Sequence, residues 1–228
     1  MAEAVVLLSG GLDSSTVLAM ALERGFEVVA LTFDYGQKHR RELDSATRIA
    51  KHYGAKEHIV MPLDIGRYLS SSLTQDSISI PSGRSKAEIG AGIPSTYVPA
   101  RNIVFLSIAS SIAESRGAAF VFIAANAIDF SGYPDCTPEF MDAFQKMLDM
   151  GTKAGREGHG IKIEAPILRK SKAEIVMEAL RLRVPLGLTW SCYRGGAKAC
   201  GECDSCRLRL EGFEAAGVKD PLEYEVKS

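Results

Sequence analysis

The sequence has no surplus of either charge, no long apolar run and few cysteines, and each shortage excludes something. Against 27 Lys and Arg stand 28 Asp and Glu, a formal net charge of -1. Proteins that grip long polyanions carry a basic excess, because neutralising phosphates drives that binding; nucleic acid is therefore not expected as a partner. The longest charge-free apolar stretches, around residues 103–113 and 117–128, fall short of the ~18–20 residues that a membrane helix requires. No basic leader with an apolar core and a small-residue cleavage site opens the chain. A soluble, cytoplasmic protein is expected. Cysteine is scarce as well, five residues in 228, and unevenly placed. Cys136 stands alone, whereas Cys192, Cys200, Cys203 and Cys206 crowd together. A secreted disulfide framework would spread its cysteines through a shorter chain, so clustered thiols point to metal.

What is present is ordinary globular material. Hydrophobic residues make up 46% and charged residues 24%, enough for one large domain or one domain with an appendage. Residues 4–8 form a short apolar run, broken at Ser9-Gly10-Gly11. Residues 14–24 then place Val17, Leu18, Ala21 and Leu22 on one helical face, and Gly25 ends the helix. Strand patterns follow at 28–33, 57–61, 118–124 and 161–165, with helical patterns at 40–53, 102–116 and 138–150. Alternation with short links predicts an α/β fold: a Rossmann-like parallel sheet of about five strands with helices on both faces. Residues 70–95, rich in Ser, Gly and Pro, read as a surface insertion. Ser-Lys-Ala-Glu occurs at Ser85 and at Ser171, and both fit the capping box that starts a helix. The first meets Gly90 and Gly92 at once, which limits it to a turn or so.

Four groups of residues carry chemistry. Ser9-Gly10-Gly11-Leu12-Asp13-Ser14-Ser15 lies between the first strand and the first helix. Paired glycines let backbone approach a ligand, successive N–H groups form an anion nest, and the helix N-terminus adds its dipole. The plainer alternative is a tight turn with a polar cap. No G-x-x-x-x-G-K-[ST] and no strand-linked G-x-G-x-x-G occurs, which excludes two other nucleotide-binding loops. The second group is Cys192-x7-Cys200-x2-Cys203-x2-Cys206. Four thiolates can close around one tetrahedral Zn²⁺ and leave no position for water, so such a site is structural. An iron–sulfur cluster is the competing reading. The third, Tyr97-Val98-Pro99-Ala100-Arg101-Asn102, opens a helix, where Arg101 holds an anion or is simply solvated. The fourth, Asp129 to Cys136, follows the fourth strand. Strand carboxyl ends face the ligand crevice of open α/β sheets, where aromatics and carboxylates can stack on and hydrogen-bond a flat base; a packed surface turn is the alternative.

The first motif resembles the PP-loop of ATP pyrophosphatases, which cleave ATP between the α- and β-phosphates. SGGLDSS (9–15), FDYGQKHRREL (33–43), TYVPARN (96–102), DFSGYPDCTPEF (129–140), KAEI (172–175) and LTWSCYRGGAKACGECDSCRLR (188–209) together resemble the 7-cyano-7-deazaguanine synthase family from end to end. One departure is Thr137, where the family often carries a basic residue. The resemblance implies a PP-loop fold over 1–186, with the insertion, and a small zinc-binding segment over 187–228 packed on it. It implies ATP, ammonia and 7-carboxy-7-deazaguanine as substrates, Mg²⁺, a structural Zn²⁺ held by Cys192, Cys200, Cys203 and Cys206, and a homodimer. It makes Leu8, Ser9, Gly10, Gly11, Leu12, Asp13, Ser14, Ser15, Thr16, Val17 and Leu18 the ATP loop, with Asp34 added as an adenosine contact. Asp13, Ser14, Arg101 and Lys172 are the expected catalytic residues. Tyr97, Arg101, Asn102, Asp129, Phe130, Tyr133 and Asp135 are the expected base contacts. Two rivals are a PP-loop enzyme of the thiolation type acting on tRNA, and a zinc–nucleotide binding module without catalysis.

Overall fold

Strands and helices alternate as the apolar pattern implies. The computed structural model describes residues 2–89, 92–127 and 132–225. β1 (Glu3–Leu7) leads to α1 (Leu12–Glu23), β2 (Glu27–Asp34) to α2 (Arg41–His52), and β3 (Glu57–Pro62) closes the first half. Beyond the one-turn α3 (Lys86–Ile89) come α4 (Arg101–Arg116), β4 (Phe120–Phe122), α5 (Pro138–Gly151), α6 (Lys153–Arg156) and β5 (Lys162–Glu164). α7 (Lys172–Arg181) and α8 (Asp204–Ala215) complete the chain. Both capping boxes form: Ser171 and Glu174 bond each other's backbone, as do Ser85 and Glu88. Among the described residues no helix is long and apolar enough to cross a membrane.

All strand pairings are parallel, in the order β3-β2-β1-β4-β5. The central strand is buried on both faces, so its residues serve two cores in alternation. Ala4 and Val6 join Val28 and Ala30 beneath α1, α2 (Ala46, Ile49), α7 (Ile175, Val176, Ala179) and Phe213 of α8. Val5 and Leu7 join Val29, Leu31 and Phe33 beneath α4 (Leu106, Ala109, Ala113) and α5 (Met141, Phe144, Leu148). The strand order runs one way from β1 to β3 and the other way from β1 to β5. Right-handed crossovers therefore fall on opposite faces of the sheet, and a crevice opens where the carboxyl ends of β1 and β4 part.

Three local departures from the sequence pattern have physical reasons. β4 is three residues long, shorter than the 118–124 pattern: Ala118 N–H still closes the end of α4 on the Ala113 carbonyl at 2.9 Å, and pairing with β1 runs only from Ala4↔Phe120 to Val6↔Phe122. The stretch at 70–95 is more than a surface insertion: Leu73 is buried in the second core and Gly83 N–H donates to the Glu202 carbonyl at 3.1 Å. α8 was not anticipated. Its buried face includes Cys206, Arg209 and Gly212 beside Leu208 and Phe213, so it shows no apolar stripe to read.

Candidate active site

The turn after β1 is built around Gly10. Its φ is +84°, and a Cβ there would run into the Glu42 carbonyl, the Ala46 amide and the Ser45 side chain of α2. Only glycine combines that backbone with that approach. Ser9 and Ser14 hydroxyls lie 3.0 Å apart, and Ser14 Oγ accepts from Ser9 N–H at 3.2 Å. Ser9 Oγ accepts from Gly11 N–H at 3.3 Å. Gly11 caps α1 without a side-chain bond, so the first turn of α1 keeps donors and the positive end of its dipole for an anion. Ser15 and Thr16 turn back instead, donating to Gly11 and Leu12 carbonyls at 2.7 and 2.8 Å, and with Val17 and Leu18 they are fully buried.

A cavity of about 270 Å³ occupies the crevice. Leu8, Ser9, Gly11, Leu12, Asp13 and Ser14 line one side; Ile123, Ala124, Ala125 and Asn126, beyond β4, line the other. Lys172, at the start of α7, also lines it and clasps Asp13, with Nζ 3.0 and 2.7 Å from the two carboxylate oxygens. Arg101 opens α4 and donates to the Tyr35 hydroxyl at 3.3 Å. Burial pushes the Tyr35 hydroxyl up to about 12, so it remains a neutral partner. Tyr133 lines the same space, its hydroxyl 2.8 Å from Thr96 Oγ1.

The remaining sequence-selected residues take other positions. Asn102 lines the cavity, but its amide nitrogen donates to the Asp135 backbone carbonyl at 3.1 Å and to Cys136 Sγ at 3.2 Å. Asp135 accepts from Asn102 N–H at 3.0 Å and so caps α4, which begins from the left-handed Ala100. Tyr97 accepts from Ala100 N–H at 3.0 Å, and Asp34 is paired with Arg40 at 2.6 Å; neither is among the described lining residues. Thr137, the departure noted above, caps α5 by accepting from Phe140 N–H at 3.2 Å. Asp129 and Phe130 lie outside the described residues. Burial pushes the Cys136 thiol up to about 11, which leaves it protonated at neutral pH.

Sequence reasoning assigned no role to several lining residues: Tyr35, His39, Glu42, Asn126, Trp190, Tyr193 and Arg209. The available signal was position, since the segment at 33–43 leaves the carboxyl end of β2. Gln37 organises it, accepting from Tyr35 N–H at 2.8 Å and donating to the Phe33 carbonyl and to Glu42 Oε1 at 3.1 and 3.2 Å. Trp190 N–H donates to the Gly10 carbonyl at 2.9 Å, which ties the C-terminal segment to the loop.

Cys192, Cys200, Cys203 and Cys206 are buried, and their sulfur atoms all lie within 4.8 Å of one another. A tetrahedral ion with Zn–S near ~2.3 Å spaces its ligands by roughly 3.8 Å, which matches; an iron–sulfur cluster would interpose its own atoms and spread the thiols further. Cys203 and Glu202 N–H groups donate to Cys200 Sγ at 3.3 and 3.4 Å, and Cys200 N–H to Cys192 Sγ at 3.4 Å. Such donors suit thiolates. The residues fit a single metal ion such as zinc.

The family model described as "Queuosine biosynthesis protein QueC" matches residues 3–217. The chain is 56% identical to a 7-cyano-7-deazaguanine synthase of Thermoplasma acidophilum, over 98% of this chain and 92% of that one. It is 52% identical to a 7-cyano-7-deazaguanine synthase of Pseudomonas fluorescens, over 97% of this chain and 95% of that one. Among solved structures, NMN synthetase from Francisella tularensis superposes with a TM-score of 0.51 at 15% identity, covering 96% of this chain and 79% of that one, a likeness of fold.

Proposed function

The chain belongs to the QueC family of queuosine biosynthesis proteins, and on that basis we propose that it is an ATP-dependent carbon–nitrogen ligase. Its substrates are 7-carboxy-7-deazaguanine and ammonia, and its product is 7-cyano-7-deazaguanine. The observation that carries this reading is the Ser9–Ser14 turn, with the uncapped start of α1, opening into the crevice between β1 and β4. A nest that retains pyrophosphate directs attack to the α-phosphorus.

A carboxylate is a poor electrophile with a poor leaving group. Its oxygen attacks the α-phosphorus, pyrophosphate leaves, and an acyl adenylate forms. Ammonia then displaces AMP to give the amide. The amide oxygen attacks a second ATP in the same way, and loss of AMP leaves the nitrile. Both rounds differ only in which oxygen attacks, so one cavity serves both. Ser14 and the loop amides hold the departing pyrophosphate, while Arg101 and Lys172 stabilise charge as it develops. Asp13 is a hard oxygen ligand suited to Mg²⁺, which when bound would neutralise phosphate charge. The base lies near Tyr133 and Arg101. The four-cysteine site holds a structural Zn²⁺, and the chain acts as a cytoplasmic homodimer.

The test is incubation with ATP, 7-carboxy-7-deazaguanine and ammonium. Release of AMP and pyrophosphate with a nitrile detected by mass spectrometry is expected. ADP with orthophosphate would overturn the loop assignment, and silence until tRNA is added would favour the thiolation rival.

A further inference from the structure

Among the described residues, the lysine and arginines on the cavity wall are Lys172, Arg209 and Arg101. Lys172 is closed on Asp13, and Arg209 is closed on Asp220 through its Nε–Nη2 edge. Arg101 has no such partner among the described residues. It keeps accessible surface, and its hydrogen bond within the protein runs from Nη1 to the Tyr35 hydroxyl at 3.3 Å, which leaves the Nε–Nη2 edge unengaged. The groups that act on its charge are Tyr35, Tyr133 and Cys136, and Tyr193 feels that charge in turn. All four line the cavity, which sets the guanidinium head on its wall. None of them supplies a counter-charge. Burial pushes Tyr35 up to about 12 and Cys136 up to about 11, and it raises the hydroxyls of Tyr133 and Tyr193 as well. The carboxylates described on the wall are taken, Asp13 by Lys172 and Glu42 by Gln37 and His39. A guanidinium is always charged, and a charge drawn out of water without a partner is costly. The start of α4 is held in place, with Arg101 N–H donating to the Val98 carbonyl at 3.1 Å and Asn102 N–H to Asp135 at 3.0 Å. An anchored, unanswered fork in neutral aromatic surroundings is a place for a planar carboxylate.

We propose that the Nε–Nη2 edge of Arg101 grips the carboxylate of 7-carboxy-7-deazaguanine and so selects the acid over neutral analogues of the same base. The inference rests on the reaction proposed above and fixes which charge Arg101 answers first. The phosphates have their own anchorage in the Ser9–Ser14 turn, the start of α1 and Lys172. Around Arg101 stand Tyr35, Tyr133 and Tyr193, whose rings suit a flat base that carries its acid group toward the fork. A bidentate grip uses one lone pair on each carboxylate oxygen and leaves another. One oxygen attacks with the lone pair that remains. Its bond to the α-phosphorus forms, the bond from that phosphorus to the bridging oxygen breaks, and the electron pair leaves with pyrophosphate. The amide of the second round is uncharged and has a single oxygen, so it gains less from the fork. Arg101 therefore discriminates mainly in the first round.

The experiment compares the acid with the amide. Acid turnover is read as substrate-dependent exchange of pyrophosphate into ATP, and amide turnover as nitrile formed from 7-amido-7-deazaguanine. In Arg101→Met, which keeps an unbranched stem and drops the charge, kcat/KM for the acid is expected to fall at least about 100-fold, mainly through KM, the scale for truncating one partner of a desolvated charge pair. For the amide it should fall about tenfold or less, the scale of a hydrogen bond to an uncharged group. Arg101→Lys, which keeps the charge without the fork, should lie between Arg101→Met and wild type for the acid. Calorimetric titration without ATP gives a second reading. The acid should bind Arg101→Met at least about 30-fold more weakly than wild type. 7-Deazaguanine, the same base without the acid group, should bind both proteins almost equally, which also shows that the variant is folded. Equal losses for acid and amide would assign Arg101 to the phosphates and overturn the inference. Acid binding unchanged from wild type would overturn it too, as would loss of 7-deazaguanine binding in step with the acid. Absence of exchange in the wild-type protein instead overturns the reaction on which the inference rests, and the titration then still decides the carboxylate subsite.

Discussion

Arg209 and Asp220 form a closed, two-pronged ion pair in the interior, with Nε 2.6 Å from Oδ2 and Nη2 2.9 Å from Oδ1. Arg209 is the largest fully buried side chain among the described residues. Its other hydrogen bonds go to Thr189 Oγ1, Ser191 Oγ and the Leu186 carbonyl, at 2.7, 3.2 and 3.4 Å, so it pins α8 to the segment that carries Trp190 and the end of the chain. Removing one partner strands a buried charge, and Arg209→Ala is expected to cost about 3–5 kcal/mol in urea unfolding. The pH dependence has a definite sign. Burial opposes the Asp220 charge, yet the bond to Arg209 prevails and holds the carboxyl below its ordinary 3.8. A depressed carboxyl contributes stability above the unfolded value and loses it as pH falls through the folded one. The stability gap between wild type and Asp220→Asn should therefore be full at pH 6 and shrink below about pH 4. A gap that does not change on acidification would show that the pair contributes nothing through its charge.

Gly10 and Gly11 make a controlled contrast. A left-handed backbone costs a residue with a Cβ about 1–2 kcal/mol, and at Gly10 the Cβ also meets backbone of α2. Gly10→Ala is expected to lower the melting temperature and to reduce pyrophosphate exchange by tenfold or more. At Gly11 the nearest atom to an added Cβ is Ser9 Oγ at 3.4 Å, an ordinary contact. Gly11→Ala should melt within a few degrees of wild type. Equal stability losses in both would show that the turn is not wedged against α2.

The five thiols are expected to react in a fixed order. Burial holds the Cys136 thiol near pKa 11, so at pH 8 roughly one molecule in a thousand carries its thiolate. Iodoacetamide should label no cysteine of the metal-loaded protein. A strong chelator should release about one Zn²⁺ per chain and expose Cys192, Cys200, Cys203 and Cys206 to labelling, with a large drop in melting temperature, since structural zinc supplies folding energy. Peptide mass spectrometry reads the order. Cys136 reacting first, or iron found in place of zinc, would contradict this account.

The reach of the sequence differs between these features for a physical reason. The turn after β1 was legible because its glycines and serines act within seven residues, on a strand and helix whose apolar periodicity marks the junction. The thiol knot was legible because tetrahedral coordination is encoded in short spacing. His39 and Glu42 were not, because their place on the cavity wall follows from the turn that Gln37 ties together after β2, which no short motif announces. α8 escaped because it buries an arginine, a cysteine and a glycine where a stripe of leucines would have announced it. Lys172 was named, yet its partner Asp13 lies 159 positions away, and only the approach of α7 to α1 brings the two together.

That approach yields the last prediction. Gly212 of α8 lies against the Lys172 stem, and a Cβ there would overlap Lys172 Cβ and Cγ. A methyl group at 212 must push the lysine off Asp13 or move α8. Lys172→Met, which keeps the stem and removes the charge, is expected to lower pyrophosphate exchange about 100-fold, the scale for losing one charge-stabilising donor. Gly212→Ala should lower it about tenfold although it carries no group that can touch a ligand. If Gly212 acts through the lysine, adding Gly212→Ala to Lys172→Met costs almost nothing more, since residues acting in one unit are not additive. If overpacking at α8 simply loosens the fold, its cost of ~1–3 kcal/mol appears in urea unfolding of both backgrounds and the losses in exchange multiply. The double-mutant cycle distinguishes these outcomes, and multiplicative losses would remove Gly212 from any role in setting the lysine.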